Sequence, residues 1–171
     1  MDNEIVGENI YLNMINKAKK YVYITTPYLI VDNEMVTALT LAAKSGIDVR
    51  IITPGIPDKK MVYMVTQSYY GELIQAGVKI FQYTPGFIHA KTVVVDDRVA
   101  TVGTINFDYR SLYLHFECGV WMFDSDTIFE IRDDYLKTLK SCDEVTMEQL
   151  AKTSGIKRLG QSLLKMFAPL M

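Results

Sequence analysis

In FIHAKTVVVDDRVATVGTINFDYRS, residues 87–111, one of the chain's 2 histidines stands two residues before a lysine at the mouth of a valine-rich run. An imidazole can attack phosphorus or move a proton, and an ammonium can hold charge on phosphoryl oxygens, so His89 and Lys91 together suit phosphoryl chemistry. On an extended chain, residues two apart project to the same face, which lets both converge on one small anion. Thr104 and Asn106 also share parity, and both are neutral donors suited to phosphate oxygens. Asp96 has the opposite parity and falls at a turn, where it reads as a brace for the backbone. Glu117 lies in the apolar stretch HFECGVW, where an unpaired carboxylate is costly, so it needs a cationic or N–H partner. An imidazole is the natural one, because a carboxylate that accepts the Nδ1 proton fixes the tautomer and leaves Nε2 free as nucleophile.

A chain of 171 residues at 49% hydrophobic content can bury the core of one domain, or of one repeat within a larger protein. Eighteen basic and 20 acidic side chains give a formal charge of −2, which excludes a global basic field of the kind that binds nucleic acid non-specifically. An anionic substrate must therefore be held locally. Cys118 and Cys142 lack metal-ligand spacing and are expected to be reduced, buried thiols of a cytosolic compartment. No run reaches the ~18 apolar residues that span a bilayer, and the start MDNEIVGENI has no basic-then-apolar signal pattern, so the chain reads as soluble or peripheral.

The elements that must position these residues alternate. The 3.6-residue spacing of Ile10, Met14, Ile15 and Ala18 predicts a helix over 8–20, followed by a strand at 21–25. Asp32 is a good N-cap for NEMVTALTLAAKS, Gly46 a good stop, and DVRII at 48–52 a second strand. A helix over 58–75 ends near Gly77, and VKIFQY at 78–83 is a third strand. Helices between short buried strands indicate an α/β sheet covered on both faces. After Pro85-Gly86 the rhythm changes to a hairpin: AKTVVV, a turn at Asp96-Asp97-Arg98, then VATVG, with ECGVWMF as a further strand. The fold class is α/β, with a mixed β-sheet and helices on both faces. A helix covers 125–142, and the tail 146–171 holds one or two short ones. Tyr23, Tyr28, Tyr63, Tyr69 and Tyr70 read first as packing residues; only Tyr28 and Pro54-Gly55, which follow strand ends, are expected to neighbour a site. The tail's Ile156, Leu159, Leu163, Leu164 and Phe167 suit docking on the domain ahead of a bilayer interface.

A lone histidine is more often a satisfied structural residue than a catalytic one. A chance His-x-Lys-x4-Asp match, however, arises about once in a hundred chains of this composition, and Gly103-Thr104, Asn106, Asp108, Arg110-Ser111 and Glu117 at fixed offsets lower that further. These residues resemble the phospholipase D superfamily, whose motif is His-x-Lys-x4-Asp followed by Gly-Ser-x-Asn-x-Asp-x-Arg-Ser. YVYITTPYLIVDNEMVTAL, GIDVRIITPGIPDKKMVYMVTQSYYGELIQAGVKIFQYTPGFIHAK and the terminal FAPLM extend the likeness over nearly the whole chain, to the C-terminal half of the bacterial cardiolipin synthases.

The resemblance implies one phospholipase D-like catalytic repeat over 1–171, with about 146–171 a helical tail. It implies catalytic roles for His89, Lys91, Asp96, Asn106 and Glu117, and substrate binding by Lys91, Thr104, Asn106 and Tyr28. His89 is then one of two histidines, either the nucleophile that forms a phosphohistidine or the acid that protonates the departing alcohol. Lys91 and Asn106 hold phosphoryl oxygens, Thr104 takes the usual serine position, and Glu117 orients His89. His115 follows no Lys-x4-Asp pattern and does not replace the second histidine. No metal and no cofactor are implied. The implied partners are phosphatidylglycerol and membrane lipid, with no nucleic acid, and a second half supplied by a missing N-terminal repeat or by another copy as a homodimer. The implied reaction moves a phosphatidyl group between two phosphatidylglycerol molecules with release of glycerol. Phosphodiester hydrolysis, as phospholipase or nuclease, and a half-domain inactive in isolation are the alternatives. The full-length protein is expected at the cell membrane.

Overall fold

Every side chain of Tyr21–Thr25 (β1) is buried, but not on one side. Val22 and Ile24 join one apolar core, while Tyr21 and Tyr23 join another. A strand buried on both faces belongs to the middle of a covered sheet, and its period-two alternation divides its residues between two layers. The computed structural model describes residues 4–168, apart from the side chains of 156–158.

The other elements in chain order are Val6–Lys17 (α1), Leu29–Ile30 (β2), Asn33–Lys44 (α2), Asp48–Pro54 (β3), Lys60–Gln75 (α3), Lys79–Tyr83 (β4), Thr92–Val95 (β5), Val99–Gly103 (β6), Phe107–Asp108 (β7), Gly119–Phe123 (β8), Thr127–Leu139 (α4), Cys142–Glu144 (β9), Met147–Ala151 (α5) and Gly155–Lys165 (α6). A single π-helical turn spans Arg110–Leu114. Seven strands form a mixed sheet in the order β8-β6-β5-β1-β3-β4-β9, and β2 pairs with β7 apart from it. β1, β3 and β4 run parallel, while β5, β6, β8 and β9 join antiparallel. Tyr11, Met14, Met35, Leu39, Tyr69 and Leu73 bring α1, α2 and α3 onto the face of Val22 and Ile24. On the opposite face Ile128 and Tyr135 bring α4 onto Tyr21 and Tyr23. The expected α/β architecture, a mixed sheet with helices on both faces, is the observed one.

Local chemistry explains the boundaries. The Asp32 carboxylate accepts the Met35 N–H at 2.8 Å, which caps α2, and Gly46 ends it with φ 89°, a conformation glycine adopts without strain. The first helix stops at Lys17 rather than residue 20, because the N–H groups of Lys19, Lys20 and Tyr21 donate to the Asp96 carboxylate at 2.6, 2.8 and 2.8 Å. The helix expected over 125–142 likewise ends early, at Leu139, and Cys142–Glu144 become the edge strand β9 against β4. Two further expectations change. Cys118 is exposed and Cys142 half-buried, both free, so they are not two buried thiols. In the tail, α6 docks on α3 through Leu164 and through Lys165, which sits 4.1 Å from the Tyr69 ring centroid, but Leu159 and Leu163 stay exposed. Ile156 has its side chain outside the described residues; of FAPLM, so do Pro169, Leu170 and Met171 altogether. Among the described residues no helix is long and apolar enough to cross a membrane.

Candidate active site

The hairpin β5–β6 carries the site residues at its open end. Val93↔Thr101 and Val94↔Ala100 set its register, and the Gly103 N–H donates to the Lys91 carbonyl at 3.3 Å, so Lys91 lies opposite Gly103. One strand further out, Gly103 pairs with Gly119. Lys91, Gly103-Thr104 and Cys118-Gly119 thus form a row across three strands. The row is tight: a Cβ on Gly103 would stand 2.3 Å from the Cys118 carbonyl oxygen and 2.6 Å from the Gly119 Cα. Only glycine permits that backbone approach.

His89 and Lys91 lie in an extended, unpaired segment before β5 rather than on the strand itself. The alternation still holds, since Ile88 packs into the α4 core while Lys91 shares parity with Val93, which faces the other. The imidazole is exposed, its ring tilted on Phe87 with centroids 5.5 Å apart. Lys91 is buried, only 8% exposed, and its ammonium donates to the His89 backbone carbonyl. Burial pulls the Lys91 ammonium below the usual lysine range, opposed by the charges of Glu117 and Asp108. An ammonium has three donors, so two remain for a ligand beside the imidazole.

Glu117 finds a partner, but not the expected one. Its carboxylate accepts the Thr104 hydroxyl, and among the described residues no side chain hydrogen-bonds the His89 ring. The physical reason is local. Thr104 and Cys118 exchange backbone and side-chain bonds, Thr104 N–H to the Cys118 carbonyl at 2.8 Å and Cys118 N–H to Thr104 Oγ1 at 2.9 Å, which brings the threonine hydroxyl to the neighbouring glutamate. Asn106 donates from Nδ2 to Ser111 Oγ at 3.0 Å and keeps its Oδ1 buried without a partner. Asp108 is buried behind it, accepts the Ser111 N–H at 2.8 Å, and has its carboxyl pushed up by that burial.

Lys91, Thr104, Asn106 and Glu117 therefore gather at one end of the hairpin, with His89 exposed beside them. Asp96 does not join them. It sits at the opposite turn, five residues from Lys91 and about 16 Å away at ~3.3 Å per extended residue, and its carboxylate is taken by the three N–H groups that fix the entry to β1. The structure places it as a brace of the backbone, as its parity suggested, at the other end of the hairpin from the residues that the resemblance groups it with. Tyr28 stands past the end of β1, within the field of Asp108, and donates to the Asp58 carboxylate at 2.5 Å. Asp58, and Lys59 with its ammonium 6.0 Å from the Tyr28 ring centroid, went unmarked in the sequence. The signal for them is their place after the β3 end at Pro54-Gly55. His115 accepts from the Arg110 guanidinium at 3.2 and 3.3 Å, beyond the row. The other tyrosines pack: Tyr23, Tyr69 and Tyr70 are buried, and Tyr63 bonds Gln82.

In chemical terms the cluster offers an exposed imidazole, a buried cation hydrogen-bonded to the backbone carbonyl of the same residue, and the Asn106 amide as a neutral donor, which suits an anion. Residues 11–140 match the family described as cardiolipin synthase, PLD-like domain. An uncharacterised protein of Streptococcus mutans is 50% identical over 171 residues, 100% of this chain and 37% of its own length. A cardiolipin synthase of Clostridium perfringens is 43% identical over 164 residues, 96% of this chain and 34% of its own. The chain thus spans about a third of the length of the curated relatives it matches. Among solved structures, the phospholipase D family member Nuc from Salmonella typhimurium superposes with a TM-score of 0.71 at 16% identity, over 81% of this chain and 90% of that one.

Proposed function

Because the chain belongs to the cardiolipin synthase family with a phospholipase D-like domain, we propose that it supplies one catalytic half of a phosphatidyltransferase that makes cardiolipin from two phosphatidylglycerol molecules. The reading rests above all on the Lys91 ammonium, buried and bonded to the His89 carbonyl beside an exposed imidazole. The other half comes from a second repeat of a longer chain or from a second copy. One of the two histidines attacks the phosphorus of the first phosphatidylglycerol through Nε2. The P–O bond to the glycerol headgroup breaks, and the departing oxygen takes a proton from the other histidine. The terminal hydroxyl of a second phosphatidylglycerol then returns a proton to that histidine while its oxygen attacks phosphorus. The N–P bond breaks, and cardiolipin leaves.

In this scheme Lys91 holds the charge that grows on the equatorial oxygens, as a fixed donor needing no reorganisation. Asn106, oriented by Ser111, contributes its second amide N–H as a neutral donor, while the Thr104 hydroxyl proton goes to Glu117 and ties that carboxylate to the row. Tyr28 borders the approach. The test is phosphatidylglycerol turnover by the assembled protein carrying His89→Ala, with folding checked by circular dichroism. A nucleophile lost abolishes cardiolipin formation, whereas an acid lost costs about 10² to 10⁴, much of it recovered with a good leaving group. Near wild-type formation by the variant overturns the assignment. Oligonucleotide cleavage in place of lipid transfer assigns the same site to hydrolysis.

A further inference from the structure

At the far end of the hairpin from His89 lies a cavity of about 580 Å³ that the reaction does not use. Its walls are Lys17, Lys19 and Lys20 from the end of α1 and the turn after it, Arg98 from the hairpin turn, and Trp121 and Phe123 from the outermost strand β8. We propose that this groove binds the phosphate headgroup of an anionic phospholipid in a bilayer and seats the chain on the membrane surface.

Charge and shape both select that occupant. The chain as a whole carries −2, so four cations around one opening are a local feature and not part of a general basic field. Lys17, Lys19 and Lys20 are exposed, and no ion pair among the described residues engages their ammonium groups, whereas Arg98 pairs with Asp124 at 3.1 Å. Asp96 also lines the groove, but its oxygens are occupied by three backbone N–H groups. The apolar wall is equally specific. Trp121 and Phe123 stack with ring planes 5° apart and remain 51% and 52% exposed. An indole and phenyl ring next to flexible ammonium groups match the level where headgroups meet acyl chains, with the lysine stems lying along the apolar surface and their heads in water. A nucleic acid track would call for rings set apart to take successive bases, but these two rings cover each other. The site lies about 16 Å from Lys91 along β5 at ~3.3 Å per residue, too far to hold the phosphate being transferred. It is an anchor and goes beyond the proposed reaction.

Trp121 is the chain's single tryptophan, so tryptophan fluorescence reports from the wall of this groove. On vesicles of equal parts phosphatidylglycerol and phosphatidylcholine, the emission is expected to shift to the blue, and pure phosphatidylcholine vesicles are expected to give no shift. Lys19→Gln with Lys20→Gln, at exposed positions that threaten no packing, should weaken vesicle binding about thirty-fold, from ~1 kcal/mol per basic residue at an anionic surface. Raising salt from ~0.1 to ~1 M, which shortens screening from ~10 to ~3 Å, should weaken it as well. His89→Ala should leave the shift intact, which separates this proposal from the catalytic one. The proposal is overturned by the absence of a shift on anionic vesicles, or by an equal shift on phosphatidylcholine alone. It is also overturned by a shift on a single-stranded oligonucleotide without lipid, which makes the groove a nucleic acid site, or by a shift that follows protein concentration alone, which makes it a contact with a second copy.

Discussion

Lys91 donates its ammonium proton to the backbone carbonyl of His89, so one side chain both supplies positive charge to the site and pins the segment that carries the imidazole. One substitution removes both. Lys91→Met keeps the buried stem but loses the charge and the hydrogen bond to the His89 carbonyl. Turnover by the assembled protein should fall about 10²- to 10³-fold, as when a preorganised donor to a developing oxyanion is lost. Stability should hold or rise, because burial already disfavours the ammonium. Thermal melts and turnover on the same preparation check both, and an active Lys91→Met would remove the lysine from the mechanism.

The close approach of β6 and β8 makes a sharper structural prediction. Gly103→Ala drives a methyl to within 2.3 Å of the Cys118 carbonyl oxygen, and backbone atoms cannot rotate away as a side chain can. The expected cost is about 2 kcal/mol or more, with the Thr104–Glu117 contact displaced. Gly119→Ala, on the same pair, meets the Ile105 Cδ1 at 3.5 Å and the Val102 carbonyl oxygen at 3.9 Å, both ordinary contacts. Its backbone φ is not in the left-handed region, so it should cost under ~1 kcal/mol. Urea denaturation of the two variants measures the difference, and equal costs would refute this account.

What the sequence makes legible follows from how local each signal is. The apolar run at 21–25, the Asp32 cap and the Gly46 stop act within a few residues, and the structure has the strand, the cap and the stop. β2 and β7 have two residues each, too few to show a period, and exist only because Leu29 meets Phe107 across distant sequence. β9 is a polar triplet, Cys142–Glu144, made a strand by the open edge of β4. In the site, the parity of His89 and Lys91 was readable, as was Asp96 at its turn. The partner of Glu117 was not, because it depends on how close β6 and β8 run, a long-range fact that Gly103 only hints at.

The composition of the site bears on metals. Among the described residues no group of three or more His, Cys, Asp or Glu side chains is placed to hold a metal ion, and the cluster beside His89 is built on a lysine. With the charge stabilisation supplied by Lys91 and neutral donors, turnover by the assembled protein should survive exhaustive chelation in detergent micelles. Loss of turnover in chelator, restored by stoichiometric metal, overturns this. Detergent is the informative medium, since divalent ions also alter how anionic lipids pack in vesicles.

A last prediction concerns a pair of carboxyls away from the row. Glu8 in α1 is buried with its Oε1 unpartnered, beside Asp32, whose carboxylate already accepts the Met35 N–H and the Tyr113 hydroxyl. Burial, and then the neighbouring Asp32, push Glu8 from 4.5 up to about 7, while Asp32 is held below the usual carboxylate range by its donors. Between those two pH values the native chain binds a proton at Glu8 that the unfolded chain does not, so this stability is fully present below 4.5 and is lost as pH rises to 7. Asp32 works the other way, but in a separate window below 3.8, where falling pH removes its contribution. Asp108, also raised by burial, adds a loss of the same sign as Glu8 starting from 3.8. The chain should therefore be less stable at about pH 8 than at about pH 5, by ~2 kcal/mol from Glu8, a figure kept below the full shift at 1.36 kcal/mol per unit. Glu8→Gln, neutral throughout and nearly the same shape, should flatten that slope and match or exceed the parent chain at about pH 8. Urea denaturation across this range, followed by circular dichroism, makes the comparison. A slope that survives in Glu8→Gln but disappears in Asp108→Asn would move the titration from Glu8 to the carboxyl behind Asn106.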